Sequence, residues 1–265
     1  MNRIIRRVTS GLTALAISML SVNAPLHIVG TNSTVMTASA EETYGDFTYT
    51  VNEDSDGEYI VINKYKGSDT EVFIPSKIKG IPVKGLSRLP NKYDDEYNVF
   101  AKTNAVNVTI PKGVEYIGYG VFLNCKTIET VKLPDTLESL ADHCFSGCSN
   151  LKEIVIPGSV KEIYSSTFEQ CNSLKSVKIE EGVTGISSDM FRYCGLLTDV
   201  VLPDTIKSIG GEAFCKCSSL RTITIPDSVE TIGNSVFMGC SSLADVKLPE
   251  KITTIPSETF FIAIQ

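Results

Sequence analysis

The sequence predicts an α/β repeat solenoid, in which short parallel strands and helical or 3-10 turns stack with a period of 23 residues. Three columns of the repeat carry this prediction: an apolar residue before a turn, a phenylalanine after it, and a cysteine after the phenylalanine. A fixed period of this size indicates units that are too small to bury a core alone and must stack on their neighbours. The columns are Ile110, Leu133, Ile156, Ile179, Leu202, Ile225 and Leu248; Phe122, Phe145, Phe168, Phe191, Phe214, Phe237 and Phe260; and Cys125, Cys148, Cys171, Cys194, Cys217 and Cys240.

One repeat shows how each element is predicted. Ile154 and Ile156 alternate with polar or outward positions, which indicates a short strand with one face inward. Pro157 lacks an N–H and turns the chain out of the ladder. Phe168 and Cys171 then follow at a spacing of three, which is typical of a helical or 3-10 turn.

The segment before the repeats predicts an N-terminal β-hairpin cap. Asn52, Asp54 and Asp56 resemble the start of a calcium loop, but Asn63 stands where that loop needs glutamate. Alternating apolar residues flank an Asp-Gly pair at Gly57, so a hairpin turn explains the pattern better.

Residues 1–40 are predicted to be a signal peptide. Arg3, Arg6 and Arg7 precede an apolar run that is too short for a membrane span, and a small-residue cleavage site ends at Ala40. An earlier cut after Ala24 would place Pro25 beside the cleaved bond, so Ala40 is preferred. Losing three arginines and no acid changes the net charge from −7 to −10. This acidic balance argues against nucleic acid or an anionic membrane surface as a partner, and no later stretch is apolar enough to span a membrane.

The remaining chain divides into residues 41–106, which hold the hairpin, a leading segment and an acidic loop, and residues 107–265, which hold seven repeats with the last incomplete. The loop is an insertion outside the repeat pattern, and insertions in solenoids map to surface loops that often bind partners. A solvated connection is the plainer alternative. The candidate binding loop consists of Tyr93, Asp94, Asp95, Glu96 and Tyr97.

Six of the eight cysteines occupy one column, whose members lie about 4.8 Å apart, whereas a disulfide brings the Cβ atoms to about 3.8 Å. The column is therefore predicted to hold buried thiols that act as small apolar fillers. Cys144 shares a slot with apolar residues and is expected to be buried as well. Cys215 shares its slot with Ser146, Glu169 and Arg192, and is expected to be the exposed, reactive thiol.

Catalysis and cofactor binding have little support in the sequence. His143 is the only histidine after signal cleavage, which nearly excludes histidine-based triads and metal sites. The Cys215-Lys216-Cys217 run has no second pair to complete a metal site, and no nucleotide loop is present. We expect neither an enzyme nor a bound cofactor.

The outward face of the predicted strands is the candidate binding face. Solenoids often present such an extended face to partners. Its central column is free of tryptophan and tyrosine, so a broad polar contact with a protein fits better than sugar stacking. The candidate residues are Thr109, Lys132, Val155, Lys178, Val201, Thr224 and Lys247, with Arg221 at the flank.

The unit from Leu151 to Leu174, L-x-x-I-x-I-P-x-x-V-x-x-I-x-x-x-x-F-x-x-C-x-x-L, resembles the BspA-like class of leucine-rich repeats. The resemblance implies a right-handed leucine-rich-repeat coil and extends loosely to Tyr44–Leu86. It also implies a bacterial secreted or cell-surface protein that attaches to host proteins or to other cells. No family functional residue transfers to a position of this chain.

The sequence thus favours an exported recognition or adhesion protein whose partner is a protein or cell-surface glycoconjugate. A structural spacer or assembly module of a longer surface protein is the alternative. Phe260, Phe261, Ile262 and Ile264 make the C-terminal end apolar, which suggests either a truncated product or end-to-end association.

Overall fold

The computed structural model describes residues 40–88 and 98–261, which form a stack of coils built from short strands. The predicted signal peptide, the Tyr93–Tyr97 loop and the last four residues lie outside this described part. The strands are β1 (Glu42–Tyr44), β2 (Phe47–Asp54), β3 (Gly57–Tyr65), β4 (Glu71–Phe73), β5 (Lys77–Ile78), β6 (Ile81–Leu86), β7 (Asn107–Thr109), β8 (Tyr116–Ile117), β9 (Thr130–Lys132), β10 (Ser139–Leu140), β11 (Glu153–Ile156), β12 (Glu162–Ile163), β13 (Ser176–Ile179), β14 (Gly185–Ile186), β15 (Asp199–Val201), β16 (Ser208–Ile209), β17 (Thr222–Thr224), β18 (Thr231–Ile232) and β19 (Asp245–Lys247).

Each described coil contributes two strands, except the last, which contributes β19 alone, and the strands stack into two parallel columns. The first-strand column consists of β4, β7, β9, β11, β13, β15, β17 and β19, and the second-strand column of β6, β8, β10, β12, β14, β16 and β18. From β7 and β8 onward, paired residues are one repeat apart, as for Ile154 with Val177, because these coils have the same length. The strands of the first-strand column form three separate hydrogen-bonded ladders, β4-β7-β9, β11-β13-β15 and β17-β19.

The N-terminal end of the stack carries the expected hairpin. β2 and β3 pair antiparallel up to Asp54 and Gly57, and β3 then pairs in parallel with β6. Lys84 of β6 donates to Asp54 at 2.9 Å, and this hydrogen bond lowers the pKa of the Asp54 carboxyl. The ring of Tyr65 lies 5.7 Å from that of Phe100, which continues the core into the hairpin.

A single file of phenylalanine rings runs through the core. Ring centroids of successive coils lie 4.7 Å apart for Phe122 and Phe145 and 5.7 Å apart for Phe168 and Phe191, with planes inclined by 11° in both pairs. Phe100 extends the stack by one ring, 4.8 Å from Phe122. The rings from Phe122 to Phe237 are fully buried, so each coil depends on its neighbours for burial of its largest side chain.

The cysteine column lies beside this stack, and its thiols are buried and not joined in disulfides, which confirms the prediction for the column and for Cys144. Each thiol from Cys148 onward donates to the phenylalanine carbonyl of the preceding coil. For Cys171 the acceptor is the carbonyl of Phe145, with Sγ 3.3 Å from the oxygen. A thiol suits this slot because it fills a small apolar space and also provides a donor.

The prediction of helical or 3-10 turns, and with it the α/β class, is wrong. The described residues contain strands and turns but no helix. Around the phenylalanine, backbone amides alternate between two directions. The N–H of Phe145 donates to Thr167 of the next coil at 2.9 Å, whereas that of Ser146 donates back to His143 at 3.1 Å. The segment therefore consists of isolated turns that are hydrogen-bonded to the next coil, and not of a continuous helix.

Backbone conformation explains why no helix propagates through these segments. Two positions of each coil, four residues apart, have φ between 55° and 73°, in the left-handed region that interrupts a right-handed helix. Most of these positions hold residues other than glycine, so the sequence gave no sign of them. The first position is held by Gly120, His143, Ser166, Asp189, Glu212, Ser235 and Glu258, and the second by Asn124, Gly147, Gln170, Tyr193, Lys216 and Gly239.

Candidate binding face

The candidate face is the outward side of the first-strand column, and its predicted residues lie in register there. Lys178 pairs with Val155 on one side and with Val201 on the other, and Thr224 pairs with Lys247. All of these side chains point away from the core because inward and outward residues alternate along a strand. The exposed members are Lys132, Val155, Lys178, Val201, Thr224 and Lys247, whereas Thr109 is half-buried, and Arg221 is exposed beside β17.

Phe73 belongs to this column, although the sequence reasoning left it out. β4 pairs with β7 so that Phe73 lies opposite Thr109, which in turn lies opposite Lys132. The Phe73 side chain is 70% exposed, more than any other large hydrophobic side chain in the described residues. The insertion before the first full repeat hid its register. The run Val72-Phe73-Ile74-Pro75 nevertheless matches Val108-Thr109-Ile110-Pro111, and that match was the available signal.

A second outward column runs beside the first and is acidic. Its exposed carboxylates, Glu153, Asp199 and Asp245, alternate with hydroxyl side chains along the coils. At the N-terminal end the amide of Asn107 donates to the Glu71 carboxylate, and the hydroxyl of Thr130 donates to Asn107. The face therefore carries charges of both signs, with lysines and carboxylates in neighbouring columns.

The lysines of the face are largely free of intramolecular ion pairs. Lys178 contacts Glu180 at 3.2 Å, and both side chains are well exposed, so the pair is worth little. Lys132 and Lys247 form no ion pair within the part of the chain that the structure describes. Exposed valines at Val155 and Val201, 47% and 55% exposed, separate these charges. The arrangement suits a partner that combines carboxylates with apolar contacts.

Cys215 is not the exposed thiol that the sequence predicted. Its side chain is fully buried, and its thiol interacts with the guanidinium of Arg192 from the preceding coil. Arg192 is held there by carboxylates, with Nε 3.2 Å from Glu212 and Nη1 3.3 Å from Asp189. Burial raises the pKa of the Cys215 thiol, which opposes reactivity.

The described coils were expected to lack a metal site, and His143 was the one histidine considered for such a role. No group of three or more histidine, cysteine, aspartate or glutamate side chains there is placed to hold a metal ion. His143 stacks on Tyr119 with ring centroids 5.7 Å apart. Within the same residues, no helix is long and apolar enough to cross a membrane.

The family model for the BspA type Leucine rich repeat region matches residues 96–201 and 184–264 in six copies, which is more than half of the chain. The chain therefore belongs to the BspA-type leucine-rich-repeat family, as the repeat unit predicted. A search of curated proteins found no match.

Solved structures give the same result. A leucine rich cell surface protein from Faecalibacterium prausnitzii is 29% identical with a TM-score of 0.66, and the match covers 82% of this chain. This chain spans only 55% of that protein. The Leucine Rich Repeat protein of T. pallidum is 28% identical with a TM-score of 0.59, over 80% of this chain and 84% of that one. A leucine-rich repeat protein from Eubacterium ventriosum, 22% identical over 76% of this chain and 61% of that one, shares the fold with a TM-score of 0.57.

Proposed function

We propose that this chain is an exported, non-catalytic recognition protein that binds a protein at a cell surface through the candidate binding face. The supporting observation is the register of the first-strand column, which aligns Phe73, Val155 and Val201 with lysines on one exposed surface. Repeat solenoids use such surfaces for protein binding, and a similar structure is described as a cell surface protein. Adhesion to host or bacterial macromolecules is the form of recognition that we favour.

The size of the face limits the kind of complex that it supports. Eight strands spaced by about 4.8 Å, each about 10 Å long, give a face of roughly 400 Å². A stable protein complex buries about 800 Å² on each partner. The partner must therefore also contact the corner beside the strands, where Arg221 is exposed and Leu196 is 48% exposed. Arginine is among the residues that most often dominate the binding energy of an interface.

Charge reversal tests this proposal directly. The full chain is measured by biosensor against immobilised fibronectin, fibrinogen, type I collagen and mucin. We expect saturable binding to at least one of them, weakened at least tenfold by the triple change Lys132→Glu, Lys178→Glu and Lys247→Glu. The matched control, Lys126→Glu, Lys216→Glu and Lys251→Glu, makes the same change in net charge at exposed positions outside the face.

Phe73→Ser separates apolar contact from charge, and it should also weaken binding without changing the net charge. Equal losses from the two lysine triples would mean that only net charge matters, which contradicts recognition by this face. Absence of binding by a folded chain would favour the spacer alternative.

A further inference from the structure

The second-strand column contains one interruption, between β12 and β14. β8, β10 and β12 pair in sequence, as do β14, β16 and β18, but no ladder joins the two sets. On either side, the residue before each strand donates to the preceding coil: the Lys161 N–H to Glu138 at 2.8 Å and the Lys207 N–H to Thr184 at 2.7 Å. The equivalent bond, from the Thr184 N–H to the Lys161 carbonyl, is not formed.

A second bond is missing at the same junction. The Tyr164 N–H donates to Leu140 at 2.9 Å, and the Gly210 N–H donates to Ile186 at 2.7 Å, but the Ser187 N–H makes no such bond to Ile163. Two amides and two carbonyls of neighbouring coils thus lack their usual strand partners, and these residues line one groove. Polar backbone groups of this kind are normally paired with protein, water or a ligand.

The groove results from coils that diverge on one side only. On the first-strand side of the same junction, β11 and β13 are paired over four residues. The coils therefore stay joined at the first-strand column and open at the second, so the groove is part of the fold.

The groove has a volume of about 370 Å³, at the lower end of the range of small-molecule sites, about 300–1,000 Å³. Tyr164 forms an aromatic wall of the groove. This ring is particular to its coil, since the equivalent positions of other coils hold Ala141, Ser187 and Gly210. Its hydroxyl donates to Glu162 at 3.2 Å. At the opposite edge Gly185 leaves open space where most other coils carry a side chain.

The width of the groove distinguishes between classes of ligand. The Ser187 hydroxyl donates to the Tyr164 carbonyl at 2.8 Å, a direct bond between the two coils. A peptide strand inserted between them would need about 4.8 Å on each side, so strand addition does not fit. Hydroxyl groups fit better, because each one both accepts from an amide and donates to a carbonyl. An aromatic wall beside such groups provides an apolar surface for a sugar ring.

We propose that this groove binds a saccharide unit of a glycan, with the ring against Tyr164 and its hydroxyls paired with the open backbone groups of Lys161, Ile163, Thr184 and Ser187. This site is separate from the candidate binding face, which lies on the first-strand column. A surface protein built in this way would contact a protein through one side and a glycan through another.

The test is saturation-transfer NMR of the full chain with lactose, cellobiose and N,N′-diacetylchitobiose, and with a short Thr-Val peptide as the peptide probe. We expect saturable transfer to at least one disaccharide. Gly185→Leu should fill the groove and reduce affinity at least tenfold. The coil has room for this side chain, because the closest atom to an added Cβ is the flexible Ser208 hydroxyl, at 3.1 Å. Thr231→Leu is the matched control, in the same slot of a coil outside the groove, and should bind as the unchanged chain does.

Tyr164 provides a second test that does not depend on filling the groove. Tyr164→Ala should lose transfer, whereas Tyr164→Phe keeps the ring and should retain most of it. A folded chain with no transfer to any of the three sugars overturns the proposal. So does sugar binding that survives both Gly185→Leu and Tyr164→Ala, or transfer to the peptide alone. Protein binding by the candidate face should be unaffected by either change.

Discussion

Truncating one ring in the middle of the phenylalanine stack should destabilise the chain far more than truncating the last ring. Phe168 is fully buried, and its centroid lies 5.0 Å from Phe145 and 5.7 Å from Phe191. Phe260 is only partly buried and has one described ring neighbour, Phe237 at 5.6 Å. The changes compared are Phe168→Ala and Phe260→Ala.

The magnitude follows from burial and stacking. Replacing the Phe168 ring with a methyl group removes roughly 100 Å² of buried apolar surface, which is worth about 2.5 kcal/mol. Two aromatic pairs add about 0.5–1.5 kcal/mol each. We therefore expect a loss of about 4 kcal/mol for Phe168→Ala, within the usual range for such truncations. Phe260→Ala loses one pair and less area, so about 1–2 kcal/mol is expected.

Guanidinium unfolding followed by circular dichroism measures both free energies. Hydrogen exchange adds a local readout, because neighbouring coils stabilise each other in a solenoid. Exchange should rise in the coils from Phe145 to Phe191 for Phe168→Ala and only near the C-terminal coil for Phe260→Ala. If the two free energies differ by less than about 1 kcal/mol, the stack is not the main source of stability between coils.

The remaining predictions concern the thiols and the left-handed residues. Burial raises the pKa of the Cys194 thiol to about 12, whereas an unfolded thiol ionises near 8.5. The thiol is protonated in both states below about pH 8.5, so its contribution to stability is complete there and declines at higher pH as only the unfolded state loses the proton. The free energy of unfolding should therefore fall above that pH by up to about 1.4 kcal/mol per pH unit for each such thiol. Denaturation curves measured at a series of pH values give this slope, and Cys194→Ala should reduce it by the contribution of one proton. An unchanged slope would contradict the burial argument. Gln170 has φ of 59°, so Gln170→Gly should raise the free energy of unfolding by about 1 kcal/mol, as measured by guanidinium denaturation. Gln170→Ala, which keeps a Cβ, is the control, and a destabilising Gln170→Gly would show that strain at this position is negligible.

The sequence by itself determined the stacking, because burial in a solenoid depends on local periodicity. The 23-residue columns specified that Phe168 and Cys171 face inward, and the alternation around Gly57 specified a hairpin. Each of these follows from which residues are apolar and how far apart they lie. The BspA-type repeat was recognisable for the same reason.

Only the tertiary structure decided the features that depend on contacts between coils. The turns around His143 and Gln170 are not helical, because amides there alternate between partners in their own coil and in the next. Cys215 is buried, and the guanidinium that interacts with its thiol comes from Arg192 of another coil. Phe73 joins the binding face through strand pairing across an insertion, and the saccharide groove exists because two coils diverge on one side. None of these contacts is encoded by spacing within one repeat, since each depends on how two different repeats meet.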